Sequence, residues 1–436
     1  MGKIGFYINH GVEVRYFLLS GLADLYKGTD EVCLYVHDNH SEVLKEYSLK
    51  YNVVVKVLPE INVNKSSFER FQRAFTNARK RANDVAIYNH FGLLSSPKFY
   101  DIFFKIPFII RIGNFFFRQK AIRDYKNEKL ISFFKKENLS KLYLLQYDST
   151  LLKLVGINGA LSGADIVVYV NTLKALFIDD FVIFPIDKLF SWNKSQNVLF
   201  QKANDGISSV KFIPKGSPYH NFLRIEDEIN CEIVTLKYGL DVRRPIIVYS
   251  LINEKVFDKE HLIIEIISKH LNDNFTIENR PQLIIRRNPF ERDCRHIHFL
   301  NSIKNVIIAD HYWERDEQKE WSIQSLEGEI EWRALLQVAN LNMNIPSMST
   351  IDALMCSTPV LNIAFSESGG YNKSLDFIIE SPFNKDFEKC KFVKTARDFK
   401  EFSNYFEIML AVKSSVGKNE IINSFDISTA SIQEFK

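Results

Sequence analysis

Chemistry in this sequence concentrates where short apolar runs give out. In the stretch from Asn344 to Ile363, a strand pattern over Leu341–Met343 passes into Pro346 and two serines. Ser349 reads as an N-cap, Ile351, Leu354 and Met355 recur at helical spacing, and Ser357-Thr358-Pro359 ends the helix. Such a unit aims backbone N–H groups at one point and attracts an anion, most simply a phosphate. The same residues equally fit a Ser349–Asp352 capping box that only holds the helix end. Other strand ends add donors: Ser250 follows one strand, Arg286-Arg287-Asn288-Pro289 a second, Asp310 to Glu314 a third, and Ser347, Ser349 and Thr350 a fourth. Arginine offers a rigid donor fork matched to phosphate, and hydroxyls add neutral donors, so together these residues describe a pocket for a nucleotide's phosphates. A surface ion pair of Arg286-Arg287 with the acids of Glu291 to Asp293 is the plainer alternative for the arginines alone.

In the first half, Asn9-His10-Gly11 closes the first strand and is followed by Glu13 and Arg15. A histidine there suits proton removal from a hydroxyl near neutral pH. Capping the next helix is its plainer use. His90, in Asn89-His90-Phe91-Gly92, is the rival base, and Arg111 suits either holding an anion or a core-edge ion pair. Acid-x-acid triplets (Glu226/Glu228, Glu314/Asp316, Asp386/Glu388) do not directly follow buried strands, so no metal site is expected. No Gly-x-Gly-x-x-Gly or phosphate-loop lysine motif occurs, which disfavours a dinucleotide oxidoreductase or a kinase-like NTPase.

The elements that must position these residues alternate between β and α patterns. Strands are expected at Ile4–Asn9, Val32–His37, Val53–Leu58, Val85–Asn89, Phe108–Ile112, Ile166–Val170 and Val210–Ile213. Helices are expected at Val12–Tyr26, Ser66–Ala82 and Asp187–Ala203, with two more between Asp124 and Gly163. From Pro214 to Arg244, two prolines, glycines and an acidic helical segment interrupt the pattern as a domain junction would. Alternation then restarts: strands at Ile246–Tyr249, Gln282–Ile285, Val306–Ala309, Leu341–Met343 and Val360–Phe365, and helices at Lys259–Leu271, Cys294–Ser302, Glu329–Ala339 and Ala396–Val412, with a last one around Ser428–Phe435. This is an α/β chain of two doubly wound Rossmann-like domains expected to face each other across a cleft: 1–213, a linker over 214–244, 245–395, and C-terminal helices over 396–436 that would pack back on the first domain.

Composition bounds the answer. The 436 residues suit two domains, and 46% hydrophobic with 25% charged residues describes a globular chain without disorder. A net charge of +3 gives no nucleic-acid footprint. Five scattered cysteines, never in a Cys-x-x-Cys pair, suit a reducing compartment. Without a signal-peptide core or an uninterrupted membrane span, the chain reads as cytoplasmic. Phe115-Phe116-Phe117, with Arg118 and Lys120 nearby, is a candidate peripheral contact with the inner face of a membrane.

Three features carry a family resemblance: Gly216-Ser217-Pro218 at the domain junction, with Lys215 before it; the basic-x-Pro loop Arg286 to Pro289; and the Ser-Thr-x-x-acid-Ala…Pro-Val unit from Ser349 to Val360. On these, the chain resembles the GT-B glycosyltransferases, and more narrowly is similar to bacterial surface-polysaccharide and CDP-glycerol glycerophosphotransferase-like enzymes. The resemblance implies a metal-independent glycosyltransferase without a cofactor. It would move a sugar from a nucleotide-sugar donor to a glycan or lipid-linked acceptor, in capsule or lipopolysaccharide biosynthesis. It further implies that Asp352 holds the ribose hydroxyls, that Ser250, Arg286, Arg287, Asn288, Ser347, Ser349 and Thr350 surround the donor phosphates, and that Lys215, Gly216 and Ser217 form a junction loop. His10, Glu13, Arg15 and Arg111 fall on the acceptor side. Aspartate stands where glutamate is usual, and Asn344 stands where some members carry a second glutamate. The alternatives are a two-domain nucleotide-sugar epimerase, a polyol-phosphate transferase using a CDP-linked donor, and a non-catalytic assembly partner.

Overall fold

The computed structural model describes residues 2–37, 44–60, 106–146, 150–170, 185–204, 210–225, 228–254, 256–288, 296–310, 313–316, 321–415, 418–422 and 433. The chain divides into two compact units, Met1–Phe222 together with Ile427–Lys436, and Leu223–Asp426. The division falls within 214–244, a segment that holds helices Tyr219–Arg224 and Glu228–Lys237.

The first unit is built on strands β1 (Lys3–Tyr7), β2 (Glu31–Val36), β3 (Val54–Val57), β4 (Leu139–Gln146), β5 (Asp165–Val170), β6 (Lys188–Ser191) and β7 (Lys211–Pro214). They form one parallel sheet in the order β3-β2-β1-β4-β5-β6-β7. Reversal of strand order beside β1 is the doubly wound arrangement, which opens crevices at the carboxyl ends of the strands. Aromatic rings ladder across the strands: Phe6 stacks on Tyr143 at 4.8 Å, Tyr143 on Tyr169 at 6.0 Å, and Tyr169 on Phe190 at 4.9 Å between centroids. Gly5 leaves room for Tyr35 on the neighbouring strand, since a Cβ there would lie 2.5 Å from the ring.

The second unit carries β8 (Ile246–Ser250), β9 (Gln282–Arg286), β10 (Val306–Ile308), a hairpin of β11 (Trp313–Asp316) and β12 (Trp321–Gln324), then β13 (Leu341–Asn344), β14 (Val360–Ile363) and β15 (Val393–Ala396). The parallel sheet runs β10-β9-β8-β13-β14-β15. Its central strands β8, β13 and β14 are buried at every residue, as a sheet covered on both faces requires.

Several expectations need correcting. The region Asp124–Gly163 is not two helices alone. Helices Glu128–Lys136 and Thr150–Ser162 flank β4, which lies between β1 and β5 near the middle of its sheet. Asn138, at φ +54°, stops the first helix and lets the chain extend. Phe108–Ile112 is no strand but the opening of the helix Pro107–Tyr125: Pro107 fits the first helical turn, where its missing N–H is no loss. Asp187–Ala203 holds β6 before its helix, which spans Lys194–Ala203. The expected helix Val12–Tyr26 is three short pieces, Gly11–Val14, a π turn at Arg15–Leu19 and a 3-10 turn at Ala23–Tyr26, broken by Gly21 at φ +81°. β15 and the β11–β12 hairpin were not expected, and the last long helix spans Phe399–Ser415. That helix lies on the second unit's sheet, with the Lys413 ammonium bonded to the carbonyls of Gln337 and Ala339. The elements expected at Ser66–Ala82 and Val85–Asn89 lie outside the described residues, as does nearly all of Ser428–Phe435.

Candidate functional site

In the second unit, sheet register sets five polar residues level at the carboxyl edge. Arg286 pairs with Ser250, Ser250 with Asn344, Asn344 with Asn362, and Asn362 with Thr395. Neighbours at matching register in a parallel sheet project to the same face, so this is one polar row crossing β9, β8, β13, β14 and β15. Asn344, wholly buried, is its hub. Its amide Nδ2 lies 2.7 Å from the Ile345 carbonyl, 3.1 Å from Thr350 Oγ1 and 3.3 Å from Asn362 Oδ1. Its Oδ1 accepts from Asn342 Nδ2 at 2.7 Å, while Asn342 Oδ1 accepts from Ser250 Oγ at 3.2 Å and Asn362 Oδ1 from Thr350 Oγ1 at 3.1 Å.

This network changes the roles that sequence reasoning gave to three hydroxyls. Ser250 and Thr350 are buried, and their hydroxyls donate to asparagine side chains at the base of the row. The helix Ser349–Met355 is not capped by the Ser349 side chain; Ser347 Oγ instead accepts from the Ser349 N–H at 3.3 Å. The Ser349–Asp352 capping box does not form. Asp352 Oδ2 accepts from Trp332 Nε1 at 3.2 Å.

Trp332 ties Asp352 to Arg286. It is almost wholly buried on the helix Leu326–Val338, whose first turn is capped by Ser325 Oγ accepting from the Gly328 N–H at 3.1 Å. The Arg286 guanidinium lies 3.9 Å from the Trp332 ring centroid. A cation over an indole face contributes about 0.5–2 kcal/mol, more as water is excluded. Stacking uses the faces of the guanidinium plane and hydrogen bonding uses its edges, so the two kinds of contact do not compete. The result is a cation on the face and a carboxylate at the N–H edge of one buried ring, both on half-buried residues. Arg287 and Asn288 follow, both half-buried, with Asn288 Nδ2 3.4 Å from the Leu251 carbonyl. Sequence reasoning missed Trp332, Asn342, Asn362 and Glu260. The last, buried, accepts from Tyr249 Oη at 3.0 Å and the Ile252 N–H at 2.8 Å and so shapes the loop after β8. The asparagines did leave a signal: polar residues at alternate positions of otherwise apolar strands.

In the first unit, His10 occupies the N-cap position of Gly11–Val14, and its backbone N–H donates to Glu13 Oε2 at 2.8 Å. Glu13 is buried, and desolvation raises its pKa from the ordinary 4.5 to about 8 against the opposing pull of the Glu13, His10 and Asn9 N–H groups. Beside it, Tyr7 Oη lies 2.9 Å from His37 Nε2 and 3.3 Å from Asn9 Oδ1. Burial lowers the pKa of His37. Glu13 and His37, not His10 alone, are therefore the titratable groups collected at the ends of β1 and β2. Arg15 lies over the Tyr219 ring at 5.4 Å. Lys215 and Gly216 both donate backbone N–H groups to the Ser191 carbonyl at 3.0 Å, Gly216 takes φ +82°, and Ser217 Oγ accepts from the Tyr219 N–H at 3.3 Å. Arg111 does not follow a strand; it is exposed on the helix Pro107–Tyr125. His90 lies outside the described residues.

No protein-family model matches this sequence, and no curated protein matches it. Solved structures do. A UDP-GlcNAc 2-epimerase from Neisseria meningitidis bound to UDP-GlcNAc is similar at a TM-score of 0.55 and 8% identity, covering 100% of this chain and 98% of its own. A UDP-GlcNAc 2-epimerase from Methanocaldococcus jannaschii gives 0.53 and 11%, covering 99% and 97%. A glycosyltransferase from Rickettsia africae gives 0.51 and 11%, covering 99% and 96%. The fold is GT-B-like. Identities this low carry the architecture alone, so the chemistry must be argued from the residues of this chain.

Proposed function

We propose that this chain acts on a nucleotide sugar and that the second unit holds the nucleotide diphosphate. The observation that carries the reading is the Arg286–Trp332–Asp352 assembly at the carboxyl edge of a parallel sheet, where open α/β sheets take ligands. Arg286 would meet the diphosphate oxygens, with Arg287 and Asn288 beside it, and Asp352 would accept from ribose hydroxyls. The indole contacts both, the cation on its face and the carboxylate at its N–H.

Between the two chemistries open to such an enzyme, we favour epimerisation of the bound sugar over its transfer. Similar structures include UDP-GlcNAc 2-epimerases, one with UDP-GlcNAc bound. Inverting a ring carbon needs a group that takes and returns a proton near neutral pH. His10, at the end of β1 with its backbone N–H bonded to Glu13, is the candidate for that task. Transfer to a glycan acceptor is the second reading, supported by likeness to a glycosyltransferase.

Solvent deuterium separates the two. With UDP-GlcNAc in heavy water and no acceptor, epimerisation places deuterium on the inverted carbon and yields a second nucleotide sugar. Transfer leaves every C–H bond of the sugar intact and releases nucleoside diphosphate only when an acceptor is added. Absence of turnover with a panel of nucleotide sugars, together with no nucleotide-dependent thermal shift, would overturn both readings.

A further inference from the structure

The helix Pro107–Tyr125 is apolar on the side where a surface helix is ordinarily polar. Its inner seam is Asn114, Phe117, Ala121 and Tyr125, all buried, and it is anchored to the helix Thr150–Ser162 through Asn158, whose Nδ2 donates to the Tyr125 carbonyl at 2.8 Å. Phe108, Ile112, Phe115 and Phe116 are 54–69% exposed. At 3.6 residues per turn these four fall within an arc of about 100°, opposite the seam, along about 12 Å of helix. Other exposed apolar side chains among the described residues, such as Leu236, Val242 and Ile277, do not form a comparable run on one helix.

Charge borders this arc. On the same helical wheel Arg111 and Arg118 fall along one edge and Lys120 along the other, while Arg123 follows beyond the apolar run. Asp124, bonded to Lys120 at 2.6 Å, is the helix's one acid. Aromatic side chains flanked by arginine and lysine match a bilayer interface, with rings among the acyl chains and cations among phosphates. A second copy of the chain fits this face poorly, because pairing it with itself would set arginine against arginine. Among the described residues no helix is long and apolar enough to cross a membrane, so the contact would lie in the plane of the surface.

We propose that Phe108, Ile112, Phe115 and Phe116 seat the chain on an anionic lipid surface, with Arg111, Arg118 and Lys120 meeting the phosphate groups. This docking face stands independently of the reading given for the second unit, and vesicle binding needs no turnover to be read.

The experiment is co-sedimentation of the full chain with phosphatidylcholine vesicles and with vesicles containing phosphatidylglycerol. Wild type is expected to partition onto the anionic vesicles at least tenfold more strongly than onto the neutral ones, less so in high salt. Phe108→Ser combined with Phe115→Ser and Phe116→Ser is expected to lose at least tenfold in anionic partitioning. Leu236→Ser, at an exposed apolar position elsewhere, should bind as wild type does. An unchanged unfolding temperature shows that the triple variant folds, and Arg111→Glu with Arg118→Glu gives a second variant at exposed and half-exposed positions. Equal partitioning of wild type and both variants overturns the proposal. So does a dimer in sedimentation velocity that the triple variant abolishes, which would assign the face to a second copy.

Discussion

At the scale of single residues, Arg286 and Glu13 make the sharpest claims. Losing the charged hydrogen bonds of a guanidinium to a diphosphate removes about 1.5–3 kcal/mol, so Arg286→Ala should weaken UDP or UDP-sugar binding roughly 10- to 100-fold. Titration calorimetry measures this directly, and unchanged affinity would remove Arg286 from the site. Glu13 gives a pH signature. Its folded pKa of about 8 exceeds its ordinary 4.5, so between those values the folded chain keeps a proton that the unfolded chain has lost. Folding stability from this group is complete below pH 4.5 and falls as pH rises to about 8, by an amount on the order of 5 kcal/mol. In Glu13→Gln that slope should flatten. Urea unfolding at about pH 5 and about pH 8 should show the variant gaining on wild type at the higher pH, and a pH-independent difference would contradict the shifted carboxyl. What the sequence displayed at this scale was residue type and strand end. It displayed Arg286 and Asp352 but not the Trp332 that contacts both, because a tryptophan on an amphipathic helix reads as core until the facing strand is known.

At the scale of elements, β13 and the turn after it matter most. Asn344 joins the Ile345 carbonyl, Thr350, Asn362 and Asn342. Asn344→Leu would strand several buried polar groups at about 1–3 kcal/mol each. Thermal unfolding should fall accordingly, and a nucleotide-dependent shift should shrink as the turn carrying Ser347 and Ser349 loses its anchor. The short strands were legible wherever apolar runs stood between turn residues, as in β1, β2, β8, β9, β13 and β14. β4 was not, because Ser140 and Lys141 together interrupt its apolar run and it follows closely on a helix, so only its partners β1 and β5 mark it as central. Phe108–Ile112 was misread for the opposite reason. Five mostly apolar residues pack as a strand or begin a helix with equal ease, and Pro107 decided between them.

At the scale of the whole molecule, the paired doubly wound sheets were legible from the alternation of patterns, since the restart after residue 244 repeats the grammar of the first half. Fold does not select chemistry, and epimerisation and transfer share this architecture. The deuterium experiment is therefore decisive at this scale: label on the product sugar is the expected result, and label-free transfer would reverse the preference. Trp332, one of four tryptophans, touches the cation assigned to the diphosphate and donates to the carboxylate assigned to the ribose. An indole so placed is a natural optical gauge. Its emission should change in colour or brightness when UDP arrives, and Trp332→Phe should silence that change, so occupancy of the pocket can be followed by light before any product is known.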